Sequence, residues 1–326
     1  MDDLVTVFGG GGFVGNNVVR MLAQDGWRIR VAVRNPHRAE RARVHGQVGQ
    51  IDIVSANVRM PASVGRALEG AQACVNVVGV LRERGRQRFA TVQTGGARNI
   101  AEACRDRGIT RLVHVSAIGA DPESASCYAR SKGEGELAVR EHVPSAVIVR
   151  PSVIFGAEDQ FFNKFAGMAR LAPVMPLVGA ETRLQPAYVG DVARAIVRAL
   201  DDPSAAGRTF ELGGPRAYTM REIVELASRE GGHPRPLLPL PFAVAKLIGT
   251  VGDFFAPISP IEPPITRDQV ELLRQDNVVD PSLPGFPELG ITPTGPEGIV
   301  GAYLYRFRKA GQYSTIEPQK SVSGRA

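Results

Sequence analysis

The run Leu4-Val5-Thr6-Val7-Phe8-Gly9-Gly10-Gly11-Gly12-Phe13-Val14-Gly15 decides how the rest of the chain is read. Leu4–Phe8 is a short apolar stretch with strand character. Glycines follow, and beyond them Val18, Val19 and Leu22 recur at helical spacing until Gly26 stops the pattern. Strand, glycine turn and helix in that order make a phosphate cradle. Gly9, Gly12 and Gly15 lie three apart, and Gly10, Gly12 and Gly15 also fit GxGxxG. Glycine at such positions lets the chain turn tightly, brings backbone against a pyrophosphate and seats the helix close to the strand. The helix N-terminus then offers N–H groups and a partial positive charge. Gly9, Gly12, Phe13, Val14 and Gly15 are therefore candidates for holding a dinucleotide.

Ile29–Val33 is a second β-branched run, and it ends at Arg34, with Arg38 one helical turn later. An acidic residue about 20 residues past the glycines would accept from the ribose 2′-OH of NAD. A guanidinium there suits a 2′-phosphate through bidentate, charge-assisted bonds. Arg34 and Arg38 thus favour NADPH (NADP) over NAD; the plainer alternative is a solvated arginine in an Arg-rich chain.

Farther on, strand-like runs at Ile51–Val54, Ala73–Val78, Arg111–Val115 and Ala146–Arg150 alternate with helical patterns at Ala62–Leu68, Ala97–Arg107 and Ser126–Arg140. Apolar strands alternating with helices imply parallel βαβ units and an α/β doubly wound sheet covered on both faces. Strand-like pieces at Gln185–Val189 and Thr209–Leu212 flank a helical Val192–Leu200, and from Pro215 onward proline becomes dense. The expected organisation is a nucleotide-binding domain over 1–212, with 157–184 contributing to a small lobe. An irregular C-terminal lobe over 213–311 and a flexible polar tail over 312–326 complete it.

The 326 residues are 44% hydrophobic and 22% charged, which excludes a wholly disordered chain. The net charge of +6 is uneven: residues 1–116 hold 17 arginines against 9 acidic residues. Such a region suits an anionic ligand, an acidic partner or headgroups, while the lack of interleaved aromatics disfavours nucleic acid. Arg82, Arg84, Arg86 and Arg88 read as a solvated charged loop, or as a contact for an acidic subunit, lipid or cofactor phosphate. Cys74, Cys104 and Cys127 are odd in number and lack CxxC spacing, which disfavours zinc or a disulfide framework. Cys127 reads as small and buried, and His114 as packed rather than catalytic. No secretory signal or spanning helix is expected. Leu237–Ile258 is apolar but interrupted by Lys246, Asp253 and prolines. It suits the small lobe's core, an interface helix or a partner's groove.

Tyr128 and Lys132 stand at i and i+4, on one side of a helix. A tyrosine of pKa about 10 is a poor acid–base group near neutrality, and a neighbouring ammonium would lower that value. With the glycine turn, Arg150-Pro151-Ser152-Val153-Ile154-Phe155-Gly156 and Tyr188-Val189-Gly190-Asp191-Val192-Ala193, this pair resembles the extended, or atypical, short-chain dehydrogenase/reductase superfamily. The resemblance implies a Rossmann-type fold and NAD(P) binding. It further implies Pro151 and Val153 on the cofactor's nicotinamide side, Asp191 in a structural role, and Tyr128, Lys132 and Ser116 as catalytic or vestigial groups. Two positions depart from the pattern: Phe8 stands where Thr is usual, and Val115-Ser116-Ala117-Ile118 offers one hydroxyl where a Ser-Ser pair is common.

A closer resemblance rests on Val7-Phe8-Gly9, Val113-His114-Val115-Ser116, the Tyr-x-Arg-x-Lys form of the pair and Lys132-Gly133-Glu134-Gly135-Glu136. Phe210-Glu211-Leu212-Gly213-Gly214-Pro215 and the late segment from Ile265 through Asp276-Asn277-Val278-Val279 add to it. These are similar to the nucleotide-binding accessory subunit of respiratory complex I, the alpha-subcomplex subunit nine family. That implies tightly held NADPH without turnover, at Gly9, Gly12, Gly15, Arg34, Tyr128 and Lys132. The implied partners are peripheral-arm subunits and, by peripheral contact, the membrane surface on the cytoplasmic side of a bacterial inner membrane. The alternatives are an NADP(H)-dependent reductase, dehydrogenase or sugar-nucleotide epimerase in the soluble cytoplasm, and a cofactor-sensing regulator.

Overall fold

A computed structural model of the chain describes residues 3–255 and 266–314, the side chains of 251–255 aside. The first half alternates as the pattern requires: β1 (Leu4–Phe8), α1 (Phe13–Gln24), β2 (Arg28–Val33), β3 (Ile51–Ser55), α2 (Pro61–Ala67), β4 (Ala73–Asn76), α3 (Gly95–Arg105), β5 (Arg111–Val115), α4 (Cys127–His142) and β6 (Val147–Pro151). Then come β7 (Ile154–Phe155), α5 (Phe162–Leu171), β8 (Met175–Val178), β9 (Arg183–Leu184), β10 (Ala187–Tyr188), α6 (Val189–Asp201) and β11 (Thr209–Leu212). The last described part holds β12 (Tyr218–Thr219), α7 (Met220–Glu230), β13 (Leu237–Leu240), α8 (Phe242–Phe255), α9 (Arg267–Leu272) and α10 (Gly301–Leu304).

Seven strands form one sheet in the order β11-β6-β5-β4-β1-β2-β3, and every neighbouring pair is parallel. This is the Rossmann-type arrangement. The order reverses between β1 and β4, so the crevice beyond their C-terminal ends is the natural place for a ligand. Strand alternation divides the core in two. Val5 and Val7 of β1 face α1 and α6, with Val18, Val19, Leu22 and Ile196. Phe8 faces the other way, among Val64, Leu68, Ile100 and Cys104. Each such large side chain taken fully out of water contributes roughly 1.5–3 kcal/mol, and apolar burial on both faces is why the strands read as continuous runs.

β4 ends at Asn76, two residues short of the expected Val78. The reason is local: Asn76 Oδ1 accepts from the Val78 N–H at 3.1 Å and its Nδ2 lies 2.9 Å from His114 Nδ1, which turns the chain out of the ladder. The helix read as starting at Ala97 starts earlier. A π-helical turn over Ala90–Thr94 runs straight into α3.

The second half carries more regular structure than its proline density suggests. α5 and α7 pack around a separate core with Phe155, Phe162, Ala166, Met175, Ile223, Val224 and Leu304. α7 opens on a capping box, in which Thr219 and Glu222 satisfy each other's backbone N–H groups. The apolar Leu237–Ile258 resolves into β13, paired with β8, and α8; residues 256–258 lie outside the described part, as do 315–326 of the expected tail. On α8, Ala245 is buried, while Val244, Leu247 and Ile248 are exposed. Among the described residues no helix is long and apolar enough to cross a membrane, and no cluster of His, Cys, Asp and Glu suits a metal.

Candidate functional site

The glycine turn has the geometry its spacing predicts. Gly9 adopts φ +85°, a conformation side chains rarely tolerate, and its N–H bonds the Ala32 carbonyl at 3.0 Å. Gly12 N–H closes the turn on the Gly9 carbonyl at 3.0 Å, and α1 begins at Phe13. A Cβ on Gly15 would stand 2.2 Å from the Gly9 oxygen and 2.7 Å from Gly10 Cα, so only glycine lets α1 lie this close to the turn. Gly12 is exposed, and Phe13 and Val14 are partly so. The Phe13 ring lies against Gly156, whose added Cβ would meet it at 3.3 Å, which joins the turn to the Arg-Pro-Ser-Val-Ile-Phe-Gly segment. The turn thus presents open backbone at a helix N-terminus, which fits a pyrophosphate.

Arg34 leaves the end of β2 exposed, and Arg38 is exposed on the following 3₁₀ turn, Pro36–His45. Neither side chain has a hydrogen bond or ion pair among the described residues. Their neighbours are committed: Arg41 pairs with Glu158 at 2.9 Å and Arg43 with Glu40 at 3.0 Å. His45, 3.2 Å from Asn16, has its pKa lowered by burial and by the charges of Arg20 and Arg41. This end of the crevice is therefore cationic and has two uncommitted guanidiniums.

At the other end, α4 carries Tyr128 and Lys132. Lys132 is buried, and its Nζ donates to the Val115 carbonyl at 3.1 Å. A Cβ on Gly79, in the loop after β4, would lie 3.5 Å from that Nζ. Burial drops the Lys132 pKa to about 8, against an opposing pull from Glu136. Tyr128 meets Phe89 edge to face, with ring centroids 5.8 Å apart. Its pKa is pushed up to about 12, by burial first and by the Asp268 carboxylate second. Spacing alone pointed to a phenol acidified by Lys132; in this structure the ammonium is held by a carbonyl and the phenol stays protonated. Ser116 is buried, and its Oγ has no hydrogen-bond partner among the described residues. This buried hydroxyl beside Val115 keeps its donor and its acceptor unsatisfied. Pro151 is buried and Val153 half-buried; the Pro151 carbonyl accepts from Ile118 N–H at 3.1 Å, and that of Val153 accepts from Ala187 N–H at 2.9 Å. His114 is buried neutral beside Asn76, its pKa lowered to about 3 by burial and then by Lys132. Asp191 accepts from Thr294 N–H at 2.7 Å and from Arg194 at 3.1 Å, a structural clasp as the resemblance implies. Cys127 is exposed rather than buried, because it is the first residue of α4 and projects away from the core, 3.3 Å from an Arg130 nitrogen.

Sequence reading quoted, but gave no role to, the residues that hold α4 in place. Arg150 forks onto Glu136 at 2.9 and 2.7 Å and reaches Glu211 at 3.5 Å, tying α4 to β6 and β11. At the start of α4, Asp268 accepts from Ser126 Oγ, Cys127 N–H and Tyr128 N–H at 3.0, 2.7 and 3.2 Å. Asn277 accepts from Ser152 Oγ at 2.7 Å and donates to the Ile118 carbonyl at 3.3 Å. The motif segments that contain Glu136, Arg150 and Glu211 were a signal for the first group. Asp268 and Asn277 lie in the late segment that carries the resemblance, but nothing local pointed to their contacts with Ser126, Ser152 and Ile118, more than a hundred positions away.

The parallel sheet and its glycine turn are those of an NAD(P)-dependent type of fold. The chain belongs to the NAD dependent epimerase/dehydratase family, which it matches over residues 5–213. It is 36% identical over 327 residues to NADH dehydrogenase (ubiquinone) 1 alpha subcomplex subunit 9, mitochondrial, of Mus musculus, covering 98% of this chain and 85% of that protein. It is also 36% identical over 242 residues to a ceramide reductase of Caulobacter vibrioides, covering 73% of this chain and 74% of the other. In fold it is similar to an NADPH-dependent quinone oxidoreductase of Escherichia coli complexed with NADPH, with a TM-score of 0.70 at 19% identity over 92% of this chain and 99% of that one.

Proposed function

We propose that this protein holds NADPH as a non-catalytic accessory or assembly subunit of a respiratory NADH:ubiquinone oxidoreductase. The observation that carries the reading is the 36% identity to the mouse subunit across 98% of the chain. In this reading Gly9, Gly12, Phe13, Val14 and Gly15 hold the pyrophosphate, and Arg34 with Arg38 reads the 2′-phosphate. Tyr128, Lys132, Pro151 and Val153 frame the nicotinamide end. The bound dinucleotide brings a transferable hydride, but the chain's own groups favour retention. A phenol near pKa 12 donates a hydrogen bond at neutral pH and is a poor base. The second lobe, with its exposed apolar residues on α8, supplies surface for peripheral-arm subunits and for peripheral contact with the cytoplasmic face of the membrane. A ligand bound only by the folded state stabilises it by about 4 kcal/mol when present at a thousand times its dissociation constant. A structural role needs nothing more.

The test is affinity purification from detergent-solubilised membranes, with mass spectrometry of partners and of released nucleotide. Complex I subunits and NADPH are expected together. A protein found only in the soluble fraction, free of such subunits, would refute the assignment.

A second reading, an active NADPH-dependent reductase, is favoured by the unpartnered Ser116 Oγ and the ceramide reductase relative. There Ser116 would hold a substrate carbonyl, and Tyr128 would hand it a proton. NADPH consumption with a ketone or lipid carbonyl, lost in Tyr128→Phe, would establish it.

A further inference from the structure

The late segment that contributes to the resemblance has no part in the reading above, although its side chains reach the site. We propose that Asp268 is a positioning residue for the Tyr128–Lys132 pair, through which the second lobe sets how that pair is presented to a dinucleotide. The proposal rests on the reading that the pair meets such a ligand. One carboxylate satisfies two of the first backbone N–H groups of α4, those of Cys127 and Tyr128, and accepts from Ser126 Oγ. Ser126 Oγ in turn accepts from Ala129 N–H at 3.3 Å. A local serine cap with water at the remaining groups is all that most helices have. A carboxylate brought in from another helix fixes where α4 starts.

Asp268 is itself held. It sits in the first turn of α9, which opens on a capping box between Thr266 and Gln269. α9 lies so close to α8 that a Cβ on Gly249 would stand 2.8 Å from Arg267 N. Farther along, Asp276 pairs with Arg183 at 2.8 Å, and Asn277 holds Ser152 and Ile118. Residues 266–277 therefore fasten the start of α4, the loop after β5 and the loop after β6. Those segments carry or adjoin Ser116, Tyr128 and Lys132, and any shift of α8 and α9 reaches them through Asp268 and Asn277. The charge acts in the same direction as the geometry. Tyr128 has Asp268 from α9 and the Phe89 ring beside it, while Arg130 on its own helix is turned to Ser124 and Cys127 and Lys132 to the Val115 carbonyl. Glu83 and Arg88, next to Phe89, are paired with each other at 3.0 Å. Asp268 thus adds to burial, the larger cause, in raising the pKa of the phenol.

The experiment uses the full chain as wild type, Asp268→Asn, Asp268→Glu and Ser126→Ala. It follows ionisation of Tyr128 by NMR of ¹³Cζ-labelled tyrosine without nucleotide, assigned with Tyr128→Phe. NADPH affinity is read by fluorescence titration and folding by thermal melting. In Asp268→Asn the Tyr128 midpoint is expected to fall by roughly one pH unit, and NADPH affinity to weaken roughly fivefold. Asp268→Glu should restore part of both, and Ser126→Ala should lower the melting temperature and leave the midpoint in place. If Asp268→Asn lowers the melting temperature but moves neither midpoint nor affinity, Asp268 is a helix cap and nothing more, and the proposal is overturned. Failure of the wild type to take up NADPH is seen before any variant is made and overturns the underlying reading instead.

Discussion

Arg150→Met tests the anchoring of α4 most directly. Arg150 bonds Glu136 through two nitrogens at 2.9 and 2.7 Å and lies 3.5 Å from Glu211. The carboxylate side chains are only 7% and 6% exposed, and the arginine 24%. Methionine keeps the stem's volume but leaves two buried carboxylates with no cation between them. Breaking a buried pair in this way costs about 3–5 kcal/mol. At about 2–4 °C per kcal/mol for a domain of 150–250 residues, the melting point falls by roughly 10 °C. The sign with pH is fixed as well. In the variant the folded state holds its carboxyl protons more tightly than the unfolded chain, so stability drops as pH rises through their raised pKa values. Urea unfolding of both proteins at pH 5 and pH 7.5 reads the difference, which is expected to be larger at pH 7.5. Replacing all three residues with apolar ones of similar size should recover most of the loss. A single-variant loss below about 1 kcal/mol, or one equal at both pH values, would refute the claim that this pairing holds α4 to the sheet.

Other outcomes follow from the same structure. Gly15→Ala drives a methyl group to 2.2 Å from the Gly9 oxygen; it should destabilise the chain by about 1–3 kcal/mol and abolish co-purification of nucleotide, as measured by melting and by chromatography of the released ligand. Arg34→Glu should lower the ratio of NADPH to NADH affinity roughly tenfold or more, read by paired fluorescence titrations; an unchanged ratio would remove Arg34 from the site. His114, neutral and buried, has its pKa lowered to about 3, so the unfolded chain binds the proton first. Stability should therefore fall as pH drops below about 6.5, by up to roughly 1.4 kcal/mol per pH unit, and His114→Gln should flatten that slope in urea titrations.

The sheet was legible because parallel strands buried on both faces leave uninterrupted apolar runs. Val5 and Val7 could be assigned to the core without knowing which helix covers them. The glycine turn was legible because a contact as tight as that of Gly15 with Gly9 excludes every other residue. α7 was overlooked although its signal was present: Thr219 and Glu222 make a capping box just ahead of Ile223 and Val224. Proline density nearby masked it. The ionisation of Tyr128 was not legible, since i, i+4 spacing places Lys132 on the same side of α4 but says nothing of Val115, which takes the ammonium, or of Asp268. Cys127 was misjudged from its type; its place at the first turn of a helix, and not its hydrophobicity, determines its exposure.

The edge of the sheet has a consequence for synthesis. Among the described residues β11 pairs only with β6, and about 60 residues separate Pro151 from Leu212. At 5–20 residues per second, a ribosome takes roughly 3–12 s to supply the strand that covers β6. Through that interval the nascent chain displays a bare, strongly apolar strand border, Val147-Ile148-Val149. Yield in cells will therefore depend on how well chaperones shield that border until translation passes residue 212.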